Sequence, residues 1–468
     1  MDDNINGMFG IEELGTVNQL RKALEVGYET NAPDKTGFGA TRIESLDSTL
    51  KVQTADQKSA KFWQAIKKDK AYSTNEEFTT VEELGGANFY SEGGISEEYD
   101  ELLRREYEKV KYMGAVGRIP NVAMEVRSIV NNLETITKLK TNAIIRKLDV
   151  KLFFGNEKLV PTEFNGILAQ FMDRVKYPTQ NVIDLQGKRI TPEILSQVGL
   201  TIQENYGDPG NIMGWVAPSA LQGYKKELMD NRTFMVTDSI NNLQVNTKKF
   251  ELDETVGSIE TDLFLRHKGE TYLEKPHPKL NPAGNAFAAE HEKAPKTLDS
   301  TTFTATAASD STSKLPAATY DYCVVPVNRY GAGAGFEVKS VAVTSNQKVN
   351  FTISDNGSPA GQIATAFDVY RKLSTATALT EYRYLCTFGT ADTKVDNGEH
   401  VPGTSYAFFM DWDFDQVLTF KQLLPFMRQE LAVIDDSRRF FFKLYGTPIV
   451  FNPNKIVVLK NVGQTAHS

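Results

Sequence analysis

The sequence predicts an α+β fold interrupted near its C-terminal end by an all-β domain. Three observations lead there: an amphipathic pattern running from Met124 to Phe154, a Thr-, Ser-, Val- and aromatic-rich stretch between residues 300 and 410, and a return of mixed α/β patterning after Asp415. At 468 residues the chain exceeds what one hydrophobic core usually serves, so several domains are expected. Hydrophobic residues make up 40% and charged residues 24%, which is ordinary for a globular chain and argues against widespread disorder.

Residues 1 to 75 read as a mostly helical arm. Leu14, Val17, Leu20 and Leu24 share one helical face, a stripe that packs on its own domain or on a neighbouring subunit. From Ala71 to Leu103 there is no Lys or Arg, while nine acids fall there: Glu76, Glu77, Glu82, Glu83, Glu92, Glu97, Glu98, Asp100 and Glu101. At the centre of this stretch, paired glycines (Gly85, Gly86, Gly93, Gly94) surround Phe89 and Tyr90. Such pairs mark turns. With Phe78 to Val81 on one side and Leu102 to Met113 on the other, the stretch predicts a long two-stranded excursion. Arms of ~10 residues would reach roughly 33 Å. An isolated hairpin is marginal in water, so it should lie on a partner, and Glu82, Glu83, Phe89, Tyr90, Glu97 and Glu98 are the candidate inter-subunit contacts.

The helix from Met124 to Phe154 places Val126, Ile129, Val130, Leu133, Ile136, Leu139, Ile144, Leu148 and Leu152 at three- and four-residue steps, and Gly155 can end it. About 30 helical residues would span roughly 45 Å. Short helices follow near Phe164 to Val175, after Thr191-Pro192, and over Pro218 to Leu228. Strands are expected at Ile212 to Val216, Ile259 to Leu265 and Thr271 to Leu273. Lys275 to Lys296, with four prolines, reads as a linker. Seven short segments then alternate: TTFTATAA, ATYDYCVVPV, EVKSVAVT, KVNFTIS, AFDVYRK, EYRYLCTF and SYAFFMDW. Turn signals at Gly331 to Gly335, Asp355 to Pro359 and Asp396 to Gly398 separate them, predicting an immunoglobulin-like or fibronectin-like sandwich. A compact domain accepts such an insertion at a surface loop when the guest's ends lie close together.

No pattern carries catalysis. Gly331 to Gly335 (GAGAG) lacks dinucleotide-loop spacing and sits between β-type segments. No phosphate-binding P-loop, zinc-protease or nucleophile-elbow motif occurs. His267, His277, His291, His400 and His467 show no ligand spacing, so no catalytic, cofactor-binding or metal-binding residue is assigned and no cofactor is expected. Cys323 and Cys386, the only cysteines, read as small core residues; Cys386 shares a predicted strand face with Tyr382, Tyr384 and Phe388, and Cys323 with Val325 and Val327. The net charge of -8 removes the global attraction a dedicated nucleic-acid-binding protein uses. The basic cluster Lys61, Lys67, Lys68 and Lys70, with Phe62 and Trp63, reads as a solvated amphipathic helix end. Apolar runs are too short for a membrane-spanning helix, and no signal peptide is expected.

The order of these segments, with IMGWVAPSALQGYKKEL, LLPFMRQELAV, FFFKLYGTPIVFNPNKIVVLKNV and the stretch from ELGTVNQLRKAL to KFWQAI, resembles the major capsid proteins of tailed bacteriophages, the Hong Kong 97 fold. In particular it is similar to staphylococcal-type myovirus capsid proteins with an inserted immunoglobulin-like domain. The resemblance implies an N-arm over 1–75, an E-loop over 76–113, a P-domain with spine helix and an A-domain over 114–296, the insertion over 297–411, and a C-terminal return over 412–468. It implies self-assembly into hexamers and pentamers, portal, scaffold or decoration partners, weak non-specific contact with packaged double-stranded DNA, no membrane, and a virion location after assembly in the host bacterial cytoplasm. No Lys and Asn pair for covalent cross-linking is evident. Two alternatives stand beside it: an encapsulin-type nanocompartment shell, and an immunoglobulin-like adhesion or decoration protein.

Overall fold

The structure is a computed structural model that describes residues 60–83, 86–92, 94, 95, 100–122, 132–231, 249–251, 256–265, 277–432 and 436–465. The N-terminal helical stripe, the segment 123–131, and the strand expected at Thr271 to Leu273 lie outside the described residues. The chain divides into two compact units, residues 1–51 with 122–135, and residues 52–121 with 136–468. Of the first, only Val122 and residues 132–135 are described. The second holds all the sheets given below.

In chain order the elements begin with α1 (Lys61–Ala65), β1 (Lys68–Lys70), β2 (Asn75–Glu83), β3 (Leu102–Lys109) and β4 (Lys111–Pro120). There follow α2 (Asn132–Phe154), α3 (Ile167–Arg174), α4 (Pro178–Asn181), β5 (Val182–Asp184), α5 (Pro192–Glu204), β6 (Ile212–Val216), α6 (Pro218–Asn231), β7 (Lys249–Glu251) and β8 (Val256–Thr261). Next come β9 (Phe303–Ser309), β10 (Ala318–Asn328), β11 (Gly331–Ala332), β12 (Phe336–Val343), β13 (Gln347–Ile353), β14 (Ala366–Leu373), β15 (Arg383–Gly389) and β16 (Val395–Asp396). The last four strands are β17 (Ser405–Asp411), β18 (Leu418–Glu430), β19 (Ser437–Val450) and β20 (Ile456–Val462). The result is a mixed α+β architecture.

A six-stranded sheet ordered β5-β20-β17-β6-β8-β7 forms the centre. Every residue of β17 and β20 is buried, so both faces of these strands are covered. Leu195, Val198 and Ile202 of α5, Ala220 and Tyr224 of α6, and Leu148, Leu152 and Phe153 of α2 join Phe408, Phe409, Val457 and Leu459 in one apolar core. Thr191 starts α5 by accepting a hydrogen bond from the Ile194 N–H, and Pro192 fills the first turn, where a missing N–H costs nothing. The described part of α2 begins at Asn132 and runs 23 residues, roughly 34 Å. A four-stranded sheet, β1-β18-β19-β4, and the two-stranded ribbon β2-β3 complete this part.

After β8 the chain leaves the central sheet and builds two further sheets. Strands β11, β10, β14 and β15, with β12 also paired to β10, face β16, β13 and β9 across a core of Phe303, Tyr322, Val324, Val349, Phe351, Phe367, Val369 and Leu385. One buried ion pair crosses that core: Arg371 Nη1 on β14 lies 2.6 Å from Asp396 Oδ2 on β16, and the Tyr322 hydroxyl of β10 donates to the same oxygen at 2.9 Å.

Five expectations need correction. The segment SYAFFMDW is not the last strand of the two-sheet domain; it is β17, antiparallel to both β6 and β20 in the central sheet. Its uninterrupted apolar run fits a strand covered on two faces, where alternation disappears. The excursion's second arm ends at Lys109; Val110 is buried, and Met113 belongs to β4 in the four-stranded sheet. The supposed linker is packed in its described part: Phe287 rests on Tyr382 with centroids 6.0 Å apart, and Glu290 accepts a hydrogen bond from the Ala332 N–H of the GAGAG stretch. Cys386 turns away from Tyr382 and Tyr384, because a β-bulge shifts the β14–β15 register there and flips the face. Cys386 lies between the two sheets and Cys323 on the outer face of its sheet, so both remain free thiols, and burial pushes both well up. Finally, only part of the basic cluster is a helix end: all four lysines are exposed and Lys61 heads α1 over the buried Phe62, but Lys68 and Lys70 lie in β1 beside β18.

Candidate assembly interface

The ribbon pairs from Asn75 with Lys109 to Val81 with Leu103, then slips by one residue so that Glu83 faces Leu102. Alternation along a strand sends successive side chains to opposite faces, and the two faces differ sharply. One, with Phe78, Glu106 and Glu108, turns onto the body: Phe78 meets Phe451 edge-on at 5.3 Å, and Glu108 is buried. The other leaves Val81, Leu103 and Tyr107 exposed, each by more than half. Beyond the strands Phe89 is fully exposed, Tyr90 65% exposed and Ile95 94% exposed.

Of the six residues singled out from the sequence, Phe89 and Tyr90 stand at this exposed tip. Glu82 and Glu83 are the last residues of β2, with side chains outside the described set, and Glu97 and Glu98 lie wholly outside it. The acids nearer the root have local duties. The Glu76 carboxylate accepts the Tyr72 and Ser73 N–H groups at 2.7 and 2.8 Å, closing the turn into β2. Glu77 pairs across the ribbon with Arg105. The one-signed stretch is thus partly neutralised by the return arm.

Sequence reasoning missed a second exposed surface. On one face of the four-stranded sheet, Tyr112 and Val116 of β4 are exposed. Register places Tyr445 opposite Tyr112 and Phe441 opposite Val116 on β19, with the two tyrosine rings 4.7 Å apart. The same face carries Arg118, Arg439 and Lys443 by alternation. The signal was present in KYMGAVGRIP, which has apolar residues at both parities and therefore two faces asking for cover.

The root of the arm is fixed deep inside. Phe62 of α1 packs on Phe153 at 4.4 Å and edge-on to Trp215 at 5.2 Å. No side chain of its own caps α1. Instead two aspartates from other elements accept its first N–H groups: Asp262 Oδ2 takes Phe62 N–H at 3.1 Å, and Asp149 Oδ1 takes Trp63 N–H at 2.9 Å. Burial, reinforced by the charge of Asp262, pushes Asp149 well above the usual carboxylate range, and burial raises Asp262 too. Two neighbouring buried carboxyls hold one proton between them more readily than two charges.

His400 is buried, which pushes it down to about 4. A cavity of about 430 Å³ at the junction of α2, α3 and the two-sheet domain is mostly apolar, lined by Phe154, Leu168, Met172, Val327 and Tyr384 among others. Among the described residues no cluster of His, Cys, Asp or Glu is arranged to hold a metal ion, and no helix is long and apolar enough to cross a membrane.

Comparison with known proteins supplies long alignments. The chain is 23% identical over 463 residues to a putative major capsid protein of Enterococcus phage phiEF24C, covering 95% of this chain and 94% of that one. It is 21% identical over 463 residues to the major capsid protein of Staphylococcus phage K, covering 94% of each. No family model matches. Overlays on solved structures are loose. The capsid of a native GTA particle aligns with a TM-score of 0.46 and 9% identity over 92% of this chain and 99% of that one. The holo-SrpI encapsulin complex from Synechococcus elongatus PCC 7942 aligns with a TM-score of 0.43 and 8% identity over 92% and 96%.

Proposed function

We propose that this chain is a structural major capsid protein, which self-assembles into the hexamers and pentamers of an icosahedral shell around the double-stranded DNA of a tailed phage. The observation that carries the reading is the end-to-end alignment with phage major capsid proteins, 95% of this chain against 94% of one relative. An adhesion protein sharing only a β domain would align over that domain alone. The shell fold is the Hong Kong 97 type, with β2-β3 as E-loop, α2 as the described part of the spine helix and the six-stranded sheet in the A-domain. The two-sheet domain is an immunoglobulin-like insertion on the outer surface, acting as decoration or as a clamp between capsomers.

Assembly proceeds through repeated interfaces of one chain with its copies. The exposed ribbon stripe of Val81, Leu103 and Tyr107, its aromatic tip, and the acids Glu82, Glu83, Glu97 and Glu98 seat on the apolar and basic strip of Tyr112, Val116, Phe441, Arg118 and Lys443 of a second copy. Apolar surface supplies adhesion, and opposite charge supplies register and steering. Portal, scaffold and decoration proteins are further partners. Contact with packaged DNA is weak and non-specific, in keeping with the net charge of -8. Assembly takes place in the host bacterial cytoplasm, and the shell ends in the virion. The function needs no bond-making step.

Replacing Glu82, Glu83, Glu97 and Glu98 together with Gln tests the ribbon's part. The subunit should keep its circular dichroism and melting temperature while losing capsomers in sedimentation velocity runs. Wild-type assembly by that variant would reduce the stretch to a solvated loop.

A further inference from the structure

The ribbon is held to the body at its root, and the hold converges on one side chain. Arg174 ends α3, a helix anchored by Gln170, whose amide donates to the Pro448 carbonyl at 2.8 Å and accepts the Val450 N–H at 2.9 Å. From this base Arg174 Nη2 donates to the Glu108 carboxylate at 3.0 Å, and Nη1 lies 3.1 Å from Glu106 as an ion pair without hydrogen-bond alignment. They are two positions apart on β3 and so share one face. The guanidinium also lies over the ring of Phe78, opposite Glu106 on β2, at 5.3 Å, and Gln170 accepts from it at 2.6 Å. Its side chain is only 10% exposed. Below the clamp, Glu157 pairs with Lys109 and Lys111.

We infer that Arg174 is a positioning residue which sets the angle at which the ribbon leaves the body, and thereby the geometry of the subunit contact. A planar, forked cation bridging two carboxylates and stacked on an aromatic ring fixes direction as well as distance, which a lysine ammonium cannot do. It touches both arms of the ribbon, Phe78 on one and Glu106 and Glu108 on the other, so it also fixes rotation about the ribbon's long axis. The inference rests on the capsid reading only for its consequence in assembly; the positioning itself belongs to the single subunit.

The experiment is a spin-label distance measurement on the full chain, with Ser91→Cys at the tip and Gln203→Cys at an exposed position of α5. Both native cysteines are buried and unreactive. Labelled subunits are diluted in unlabelled chain, so that only distances within one subunit are read. The distance distribution should be narrow in the wild type. It should at least double in width in Arg174→Gln and in Arg174→Lys, read well below the melting temperature of each variant, where circular dichroism stays near wild type. Glu106→Gln, which leaves the Glu108 arm of the clamp, should give an intermediate width and serves if Arg174→Gln fails to fold. An unchanged distribution in the folded variants would overturn the inference, whatever assembly does. Broadening with normal shells would support Arg174 as the positioning residue and instead count against the ribbon as the assembly contact.

Discussion

Removing the carboxylate of Asp396 should unfold the two-sheet domain on its own. Asp396 is 1% exposed and Arg371 8% exposed at the side chain, and the Asp396 carboxylate takes three bonds: from Arg371 at 2.6 Å, from Tyr322 at 2.9 Å and from the Gly398 N–H at 3.0 Å. Asp396→Ala leaves a guanidinium buried without its partner, which costs about 3–5 kcal/mol. The stranded Tyr322 hydroxyl adds up to about 3 kcal/mol more, though the two losses share one network and will not sum fully. For a domain of this size each kcal/mol moves the melting temperature by roughly 4–8 °C, so a shift of at least about 12 °C is expected. Differential scanning calorimetry of the full chain should show one transition falling by that amount while a second stays in place. The double variant Arg371→Met with Asp396→Leu should recover most of the loss, since replacing a whole buried pair by apolar groups is close to neutral. A loss under about 1 kcal/mol would refute the reasoning about the pair. A single transition moving as a whole would refute the independence of the two-sheet domain.

Asp149→Asn should remove a pH-dependent weakness. Because folding raises the Asp149 value, the folded state holds a proton that the unfolded chain gives up near pH 4, and stability falls as pH rises from there towards the folded value. Asn keeps the bond from the Trp63 N–H and can donate to Asp262. The variant should therefore lack a slope of up to about 1.4 kcal/mol per pH unit, and an unfolding free energy from urea titrations that changes equally between pH 5 and pH 7 in wild type and variant would contradict the shared-proton account. Gly463→Ala should destabilise the central sheet, because an added Cβ would sit 2.0 Å from the Gly187 carbonyl oxygen, a backbone atom that cannot swing aside. A loss above about 1 kcal/mol in urea unfolding is expected; a change within about 0.5 kcal/mol would show that the strand end shifts freely.

What the sequence disclosed follows the range of the forces involved. The ribbon was legible because turn glycines and strand patterning act within a few residues, and β2 and β3 pair where the patterning pointed. The C-terminal half of the long helix was legible from its periodicity. The seventh sandwich strand was misassigned because β17 shows only that it is apolar, and its partners β6 and β20 lie far away in sequence. FKQLLPFM was no clearer: Pro425 falls in β18 beyond the reach of β1 and at a break in the register with β19, where a missing N–H is tolerated. The face of Cys386 was lost to a single bulged residue. Among the site features, the exposed tip aromatics were readable as apolar residues in a polar loop. The clamp was not, since Arg174 meets Glu108 across 66 positions and nothing local marks either.

The central claim is assembly, and negative-stain electron microscopy of the purified full chain over a range of concentrations tests it most directly. The account predicts closed shells, tubes or isolated hexameric and pentameric capsomers. Only small soluble oligomers under every condition, with or without a scaffold protein, would contradict it.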